Sequence, residues 1–272
     1  MKKRERLDKL LPELGLVDTR NKAQALIMSG KVRVNGQVVT KSCAMFSRDD
    51  SITLDEFSQW ASRGAKKLLR AFEVFDISVS DKICADFGAS TGGFTDVLLA
   101  NGAAKVYAID VGYGQLIWRL ASDPRVIVMD RTNARYLTRE NFADEIDFAS
   151  CDVSFISLRL ILPVIDSVVN DKDNGSAVVL IKPQFEAGRG KISKGVVRDR
   201  AIHSEVLEGM IDFIGYNTNF VIAGLTHSPI TGPEGNIEFL CRLTREKCDD
   251  YVPDVNKILD EAYNFSRGDL LS

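Results

Sequence analysis

Four side chains of this chain of 272 residues could together take a proton from a weakly acidic hydroxyl group. They are two lysines and two acids, Lys67, Asp152, Lys182 and Glu238. A lysine amine accepts a proton only when burial or a neighbouring cation lowers its pKa. We therefore expect Lys182 to act as the general base beside the cation Lys67, with the two acids orienting the amines. A ribose 2′-hydroxyl needs such a base, because it is a poor nucleophile before it loses its proton.

A turn of small residues at positions 88–93 predicts a binding site for a cationic nucleoside. It follows the apolar stretch 82–85 and Asp86, and it precedes a helical pattern. Glycine lets a ligand approach the backbone, because it has no Cβ. Ser90 stands where a dinucleotide-binding turn has its second glycine, which argues against NAD. S-adenosylmethionine suits the carboxylate of Asp86 better, and another nucleotide or a purely structural turn are the alternatives.

Short apolar stretches alternate with helical patterns over the region that contains these residues. They predict about seven strands, at residues 82–85, 105–109, 126–129, 146–150, 177–181, 220–226 and 237–243. Polar residues follow four of these strands, namely Asp110, Asp130, Asp152 and Lys182. Parallel strands bring their carboxyl ends to one edge of a sheet, where open α/β folds bind ligands. The pattern predicts an α/β, Rossmann-like S-adenosylmethionine-dependent methyltransferase fold, mostly parallel, with helices on both faces and Asp110 at a nucleoside ribose.

A basic module precedes this region. Residues 1–48 hold 11 lysines and arginines against 4 acids, a net charge of +7, whereas the remaining residues hold 24 against 34, a net charge of −10. Apolar spacing predicts two helices, over residues 6–14 and from Asp18 to Gly30, and Asn35-Gly36 predicts the turn of a hairpin. A basic module on an acidic body indicates a binding site for a polyanion.

Bulk properties limit the remaining function classes. The five cysteines are scattered and form no C-x-x-C pair, which predicts free thiols in a reducing cytosol. No metal site is predicted. The chain begins without a signal-peptide pattern and has no run of 18 apolar residues, so we expect a cytoplasmic protein without membrane contact. We expect a small α+β domain at residues 1–57, a linker at 58–62 and the larger domain at 63–272.

The N-terminal module resembles the αL RNA-binding domain of a ribosomal small-subunit protein and of pseudouridine synthases. The similarity rests on two short helices followed by G-K-V-x-V-N-G-x-x-V at residues 30–39, and it extends over about residues 5–54. Lysine and arginine on such a domain add affinity by releasing counterions from phosphates, without reading sequence. The resemblance implies RNA contacts by Arg4, Arg6, Arg20, Lys22, Lys31 and Arg33.

Four motifs of the larger domain resemble the FtsJ-like ribose methyltransferases. They are S-R-G-A-x-K-L at residues 62–68, D-F-G-A-S-T-G-G-F at 86–94, I-K-P-Q-F-E at 181–186 and G-N-I-E-F at 235–239. With the αL module in front, about residues 1–245 are similar to the TlyA family of ribosomal RNA 2′-O-methyltransferases, also named haemolysin A. The resemblance implies that the chain uses S-adenosylmethionine, without a metal, to methylate a cytidine ribose of rRNA in ribosomal subunits.

The same resemblance implies which residues form the site. It assigns the catalytic tetrad to Lys67, Asp152, Lys182 and Glu238, with Lys66 as the alternative to Lys67. It assigns the cofactor pocket to Asp86, Gly88, Ser90, Thr91, Gly93, Phe94, Asp110, Asp130 and Asp152.

Three alternatives remain at this point. The glycine-rich segment 188–195 predicts a lid that grips RNA through Arg189, Lys191 and Lys194, or else an ordinary solvated loop. A nucleophilic Cys151 would favour methylation of a cytosine carbon, but its predicted strand position points it into the core. The chain could also be a non-catalytic rRNA-binding or ribosome-assembly factor, or a membrane-active haemolysin, which would need an amphipathic or apolar membrane segment.

Overall fold

The structure is a computed structural model that describes residues 4–17, 19–28, 30–54, 60–171, 175–188, 190, 192, 195–246 and 251–269, with side chains up to residue 265. The chain forms two compact units that divide between residues 59 and 60. This division lies inside the predicted linker at 58–62. Each unit has its own hydrophobic core.

The N-terminal unit combines two helices with two small sheets. Its elements are β1 (Arg4–Arg6), α1 (Leu7–Glu13), α2 (Arg20–Met28), β2 (Val32–Val34), β3 (Gln37–Val38), β4 (Met45–Ser47) and β5 (Ile52–Leu54). The predicted hairpin joins β2 to β3, with Asn35 and Gly36 at φ 52° and 81°. The strand pair β1–β4 was not predicted, because three-residue strands carry too short a pattern to read.

The second unit is a seven-stranded sheet with helices. Its strands are β6 (Ile83–Phe87), β7 (Lys105–Ile109), β8 (Val126–Met129), β9 (Phe148–Cys151), β10 (Ser176–Ile181), β11 (Val221–His227) and β12 (Phe239–Thr244). Its helices are α3 (Ala65–Phe75), α4 (Gly93–Ala100), α5 (Trp118–Ala121), α6 (Leu162–Val168), α7 (Pro183–Glu186), α8 (Arg200–Asn217) and α9 (Val255–Asp269).

The sheet has the strand order β11-β12-β10-β9-β6-β7-β8. Strands β10, β9, β6, β7 and β8 pair in parallel, and β12 runs antiparallel to both β10 and β11. The predicted Rossmann-like, mostly parallel sheet is therefore confirmed. Because β12 is reversed, its first residue lies at the sheet edge where its neighbours end, with Phe239 paired to Ile181.

The two faces of the sheet bury separate apolar clusters. Successive strand residues point to opposite faces, so Phe87 and Cys151 join one cluster while Cys84 and Phe148 join the other. The first cluster includes residues of α6, α8 and α9, and the second includes residues of α3, α4 and α5. The helices thus cover both faces, as predicted, and leave the carboxyl edge of the parallel strands for the site.

Candidate active site

The four predicted proton-transfer residues lie together around Asp152. One Asp152 carboxylate oxygen lies 3.1 Å from the Lys67 ammonium and the other 2.6 Å from the Lys182 amine. The Lys67 ammonium also lies 2.7 Å from Glu238. Asp152 therefore connects the two lysines, and Glu238 reaches the group through Lys67.

Sheet topology explains how residues so distant in sequence meet. Asp152 and Lys182 follow β9 and β10, which are adjacent and parallel. Glu238 precedes the reversed strand β12, so it lies at the same edge. Lys67 comes from the first turn of α3. Space for Glu238 depends on Gly232, because a Cβ there would lie 2.8 Å from a Glu238 carboxylate oxygen.

Burial and charge keep Lys67 protonated. Its side chain is 9% exposed, and burial alone would lower its pKa. The carboxylates of Asp152 and Glu238 outweigh burial, so the pKa of Lys67 is raised. Lys66, the alternative from sequence, is exposed, and the structure brings Lys67 into the cluster instead. Lys67 thus has the geometry of the cation expected beside Lys182.

Two adjoining cavities open at this edge of the sheet. The first, about 460 Å³, reaches all four clustered residues and the glycine turn. The second, about 350 Å³, extends from the turn toward Asp110. Both cavities are lined by Gly88, Ser90, Asp152, Ser154 and Phe155. A ligand of nucleoside size could therefore extend from the second cavity to the clustered lysines.

The glycine turn after β6 lines both cavities through Gly88 and Ser90. Gly88 has φ +85°, and a Cβ there would lie 3.0 Å from the Asp152 carbonyl oxygen, so only glycine fits without a shift. Ser90, also left-handed at φ 49°, donates its backbone N–H to Asp110 over 2.8 Å. Thr91, Gly93 and Phe94 line the first cavity, as the sequence predicted for a cofactor pocket.

Two of the predicted pocket acids do not line either cavity. Asp86 is fully buried and accepts hydrogen bonds from Thr95 (2.7 Å) and Ser150 (2.9 Å). The expectation that Asp86 faces a cationic ligand is therefore corrected, because its side chain points from β6 beneath the turn. Burial raises the pKa of Asp86 to about 6, although the hydrogen bond from Thr95 opposes this shift.

Asp130 also lies back from the cavities. It accepts the backbone N–H of Gly114 over 2.8 Å and so connects the loops after β7 and β8. Thr132 and Asn133, which follow it, line the second cavity instead. They belong to the same D-R-T-N stretch, so the segment that the motif indicated lines this cavity through its later residues, and the role of Asp130 stays a prediction.

Sequence patterns missed several cavity residues. Ser154 accepts a hydrogen bond from the Lys182 amine over 2.8 Å. Asn236 is 2% exposed and joins the loop before β12 to the segment before α8, because its side chain bonds the backbone of Gly195 and Val197. Ser154 and Asn236 stand two positions from a predicted tetrad member, which is the only local signal that could have identified them.

Comparison with known proteins agrees with this geometry. The sequence model of the FtsJ-like methyltransferase family matches residues 60–245. The chain belongs to the FtsJ-like methyltransferase family. The model of the S4 domain matches residues 5–43. This match confirms the predicted N-terminal domain, because αL and S4 name the same small fold.

Relatives of this FtsJ-like methyltransferase align over most of its length. A protein of Bacillus subtilis (strain 168) with the provisional name rRNA methyltransferase YqxC is 49% identical over 89% of this chain and 86% of its own. The 16S/23S rRNA (cytidine-2′-O)-methyltransferase TlyA of Mycobacterium tuberculosis (strain ATCC 25618 / H37Rv) is 43% identical over 88% and 89%. A solved structure from Streptococcus thermophilus, provisionally named a hemolysin, has 40% identity and a TM-score of 0.76 over the whole of both chains.

The S4 domain holds two of its predicted RNA-contacting arginines on one buried acid. Asp8 is fully buried and accepts hydrogen bonds from Arg6 and Arg20, each at 2.9 Å, and from Gln24 at 2.8 Å. The hydrogen bond from Arg6 outweighs burial and holds the pKa of Asp8 well below its usual range. Arg6 and Arg20 remain 39% and 48% exposed.

The other predicted RNA contacts divide between two groups. Arg4, Lys22 and Lys31 are exposed on the S4 domain, and Arg33 donates to the Gly36 carbonyl. The predicted lid residues Arg189, Lys191 and Lys194 lie outside the described residues.

Cys151, metal-ligating side chains and membrane-spanning helices bear on the alternatives considered from sequence. Cys151 is fully buried, and burial raises the pKa of its thiol to about 12. No group of three or more metal-ligating side chains occurs within the part of the chain that the structure describes. Among the same residues, no helix is both long and apolar enough to cross a membrane.

Proposed function

We propose that this FtsJ-like methyltransferase moves a methyl group from S-adenosylmethionine to a ribose 2′-hydroxyl of ribosomal RNA, at a cytidine. The observation that carries the proposal is the buried cluster of Lys67, Asp152, Lys182 and Glu238 beside the glycine turn. Relatives at 43–49% identity are named as rRNA methyltransferases, one of them specific for the cytidine 2′-oxygen. Both lines support a hydroxyl acceptor on RNA.

The cavities fit S-adenosylmethionine. The backbone around Gly88 forms a surface that a Cβ would fill, which supports close approach of a ligand to the turn. Asp110 and Asn133 line the second cavity and would hold the adenosine part, whereas Thr91 and Gly93 line the first and would hold the amino-acid part. When bound there, the cofactor supplies an electrophilic methyl group on a positively charged sulfur.

The residues of the chain then handle the proton. Lys182 accepts the proton of the 2′-hydroxyl as the oxygen attacks the methyl carbon, and it becomes an ammonium group. Asp152, 2.6 Å away, stabilises this new charge. Lys67, held by Glu238, stays charged throughout and places a positive charge on the other oxygen of the Asp152 that contacts Lys182. General-base catalysis of this kind contributes roughly 10²–10⁴-fold to the rate.

The S4 domain would supply most of the affinity for RNA. Arg6 and Arg20 present their guanidinium groups from a shared buried carboxylate, and Arg4, Lys22 and Lys31 add exposed charge. Phosphate contacts of this type position a protein on RNA and release counterions. The acidic methyltransferase unit would then need only to place the acceptor ribose.

The test is methyl transfer to ribosomal subunits. Purified protein is incubated with tritiated S-adenosylmethionine and separate small and large subunits. We expect label in rRNA at a linkage that resists alkali, because a 2′-O-methyl group blocks attack on the adjacent phosphate. Lys182→Ala should abolish transfer while the dissociation constant of S-adenosylmethionine stays within a few-fold. Label on a base beside an alkali-sensitive linkage would contradict ribose methylation, and RNA binding without any transfer would favour an assembly factor.

A further inference from the structure

Lys182 has a hydrogen-bond partner that no motif indicated. Its amine donates to Ser154 Oγ over 2.8 Å and lies 2.6 Å from an oxygen of Asp152. The Lys182 side chain is 7% exposed, and it lines the first cavity. Ser154 lines both cavities. The serine therefore stands where the predicted cofactor and acceptor sites adjoin the predicted base.

The number of hydrogens on the amine determines what this contact implies for the direction of its lone pair. A neutral lysine amine carries two hydrogens and one lone pair, arranged with Cε in a tetrahedron. Asp152 alone would leave the amine free to rotate about the Cε–Nζ bond. The hydrogen bond to Ser154 fixes one N–H group, the ion-pair contact with Asp152 restricts a second, and the lone pair then has one direction left. Lys182 lines the first cavity, and we take that direction to lead to the acceptor side.

We propose that Ser154 is a positioning residue that fixes the rotation of the Lys182 amine, so that its lone pair faces the 2′-hydroxyl. The proposal rests on the proposed function, in which Lys182 is the base. The O–H bond of the acceptor breaks, its proton joins the lone pair, and the oxygen keeps the electron pair that forms the new bond to carbon. The resulting ammonium has three N–H groups, one of them already donated to Ser154, and it stays in ion-pair contact with Asp152.

The loop that carries Ser154 is fixed against the segment that carries Lys182. Glu186, at the end of α7, accepts hydrogen bonds from the Ser157 hydroxyl at 2.7 Å and from the Leu158 backbone at 2.6 Å. Helix α7 begins directly after Lys182. Glu186 therefore joins the segments that follow Ser154 and Lys182, and its bond to the Leu158 backbone does not depend on the Ser157 hydroxyl.

The test compares Ser154→Ala and Ser154→Thr with Ser157→Ala, a serine of the same loop whose hydroxyl bonds Glu186. For each variant we measure single-turnover transfer to ribosomal subunits and the binding of S-adenosylmethionine and of RNA. We also follow the acylation rate of Lys182 in the free protein by mass spectrometry. We expect Ser154→Ala to slow transfer by about 10–100-fold with both affinities within about three-fold, since a misplaced base costs rate rather than binding. Lys182 of the Ser154→Ala variant should be acylated several-fold faster, because the amine has lost a hydrogen-bond acceptor.

The Ser154→Thr and Ser157→Ala variants distinguish a positioning role of Ser154 from a purely structural one. Ser154→Thr keeps the hydroxyl and should restore the rate to within about three-fold, and Ser157→Ala should stay within the same range. An unchanged rate in Ser154→Ala, a matching loss of RNA affinity, or an equal loss in Ser157→Ala would overturn the proposal. A wild-type protein that transfers no methyl group would instead overturn the proposed function, while the acylation rates would still report the contact between Ser154 and Lys182.

Discussion

Lys67 and Glu238 form a buried ion pair, with 2.7 Å between nitrogen and oxygen and side chains that are 9% and 2% exposed. The two residues are brought together by α3 and by the start of β12. Because the same ammonium also contacts Asp152, its removal leaves the buried Glu238 without this cation and leaves Asp152 with Lys182 alone. Breaking a buried pair in this way typically costs about 3–5 kcal/mol.

The first prediction concerns this pair. We expect Lys67→Met to lower methyl transfer by at least about 100-fold, since the acids that orient Lys182 lose their partner. Lys66→Met, one residue away on the exposed side of α3, should stay within about two-fold. Transfer rates and melting temperatures of both variants check this. Similar rates for the two variants would show that Lys67 is not part of the chemistry.

The second prediction concerns Gly88. An alanine there would need φ near +85° and would press its Cβ against the Asp152 carbonyl oxygen. We expect Gly88→Ala to weaken binding of S-adenosylmethionine by more than about ten-fold and to destabilise the fold by about 1–2 kcal/mol. Gly215→Ala in α8, where no atom lies within 4 Å of the new Cβ, should instead stabilise by about 0.5–1 kcal/mol. Calorimetric titration and thermal unfolding measure both. Normal cofactor binding by Gly88→Ala would contradict a ligand that lies against this turn.

The third prediction follows from the buried carboxyl of Asp86, whose pKa is raised to about 6. In the unfolded chain an aspartate titrates near 3.9, so the folded protein binds the extra proton between about pH 4 and 6. The stability contributed by this group is fully present below about pH 4 and is lost as pH rises through 6. Asp86→Asn should therefore gain stability relative to the wild type as pH rises from 4.5 to 7.5, by on the order of 1–3 kcal/mol. A difference in melting temperature that is independent of pH would refute this account of Asp86.

The fourth prediction uses the sign of an electrostatic effect. Asp8→Asn removes one negative charge from the basic S4 domain, which by charge alone would strengthen RNA binding. Because Asp8 holds Arg6 and Arg20, we expect the opposite, a loss of about five- to ten-fold in affinity and a shallower salt dependence. Asp212→Asn, an exposed acid of α8, is the control that removes the same charge elsewhere. Filter binding over a salt series distinguishes the two. Tighter binding by Asp8→Asn would mean that the arginines do not need this carboxylate.

Strand and helix positions could be predicted from apolar periodicity, and the proximity of Asp152 to Lys182 from their positions after adjacent parallel strands. The apolar pattern over residues 158–169 by itself indicates one helix, whereas the structure has a 3-10 turn at Leu158–Leu160 followed by α6. Contacts set by side-chain direction could not be predicted. Asp86 lies inside β6, in register with Ala108, whereas Asp110 follows the end of β7, and of the two only Asp110 lines one of the two cavities. The Ser154 contact likewise depends on how one loop bends, which no local pattern records.

Asp152 contacts both lysines, so the net charge around it changes when Lys182 takes up a proton during a catalytic cycle. With Lys182 neutral, as proposed, the tetrad holds one cation and two anions, a net charge of −1, and it becomes neutral when the proton arrives. The chain therefore ends each turnover with a proton that it must release to solvent before it can react again. Loss of this proton from Lys182 to solvent would return the enzyme to its reactive form. An acidic medium would thus slow the return of the free enzyme to its reactive form, separately from any effect on the methyl transfer itself.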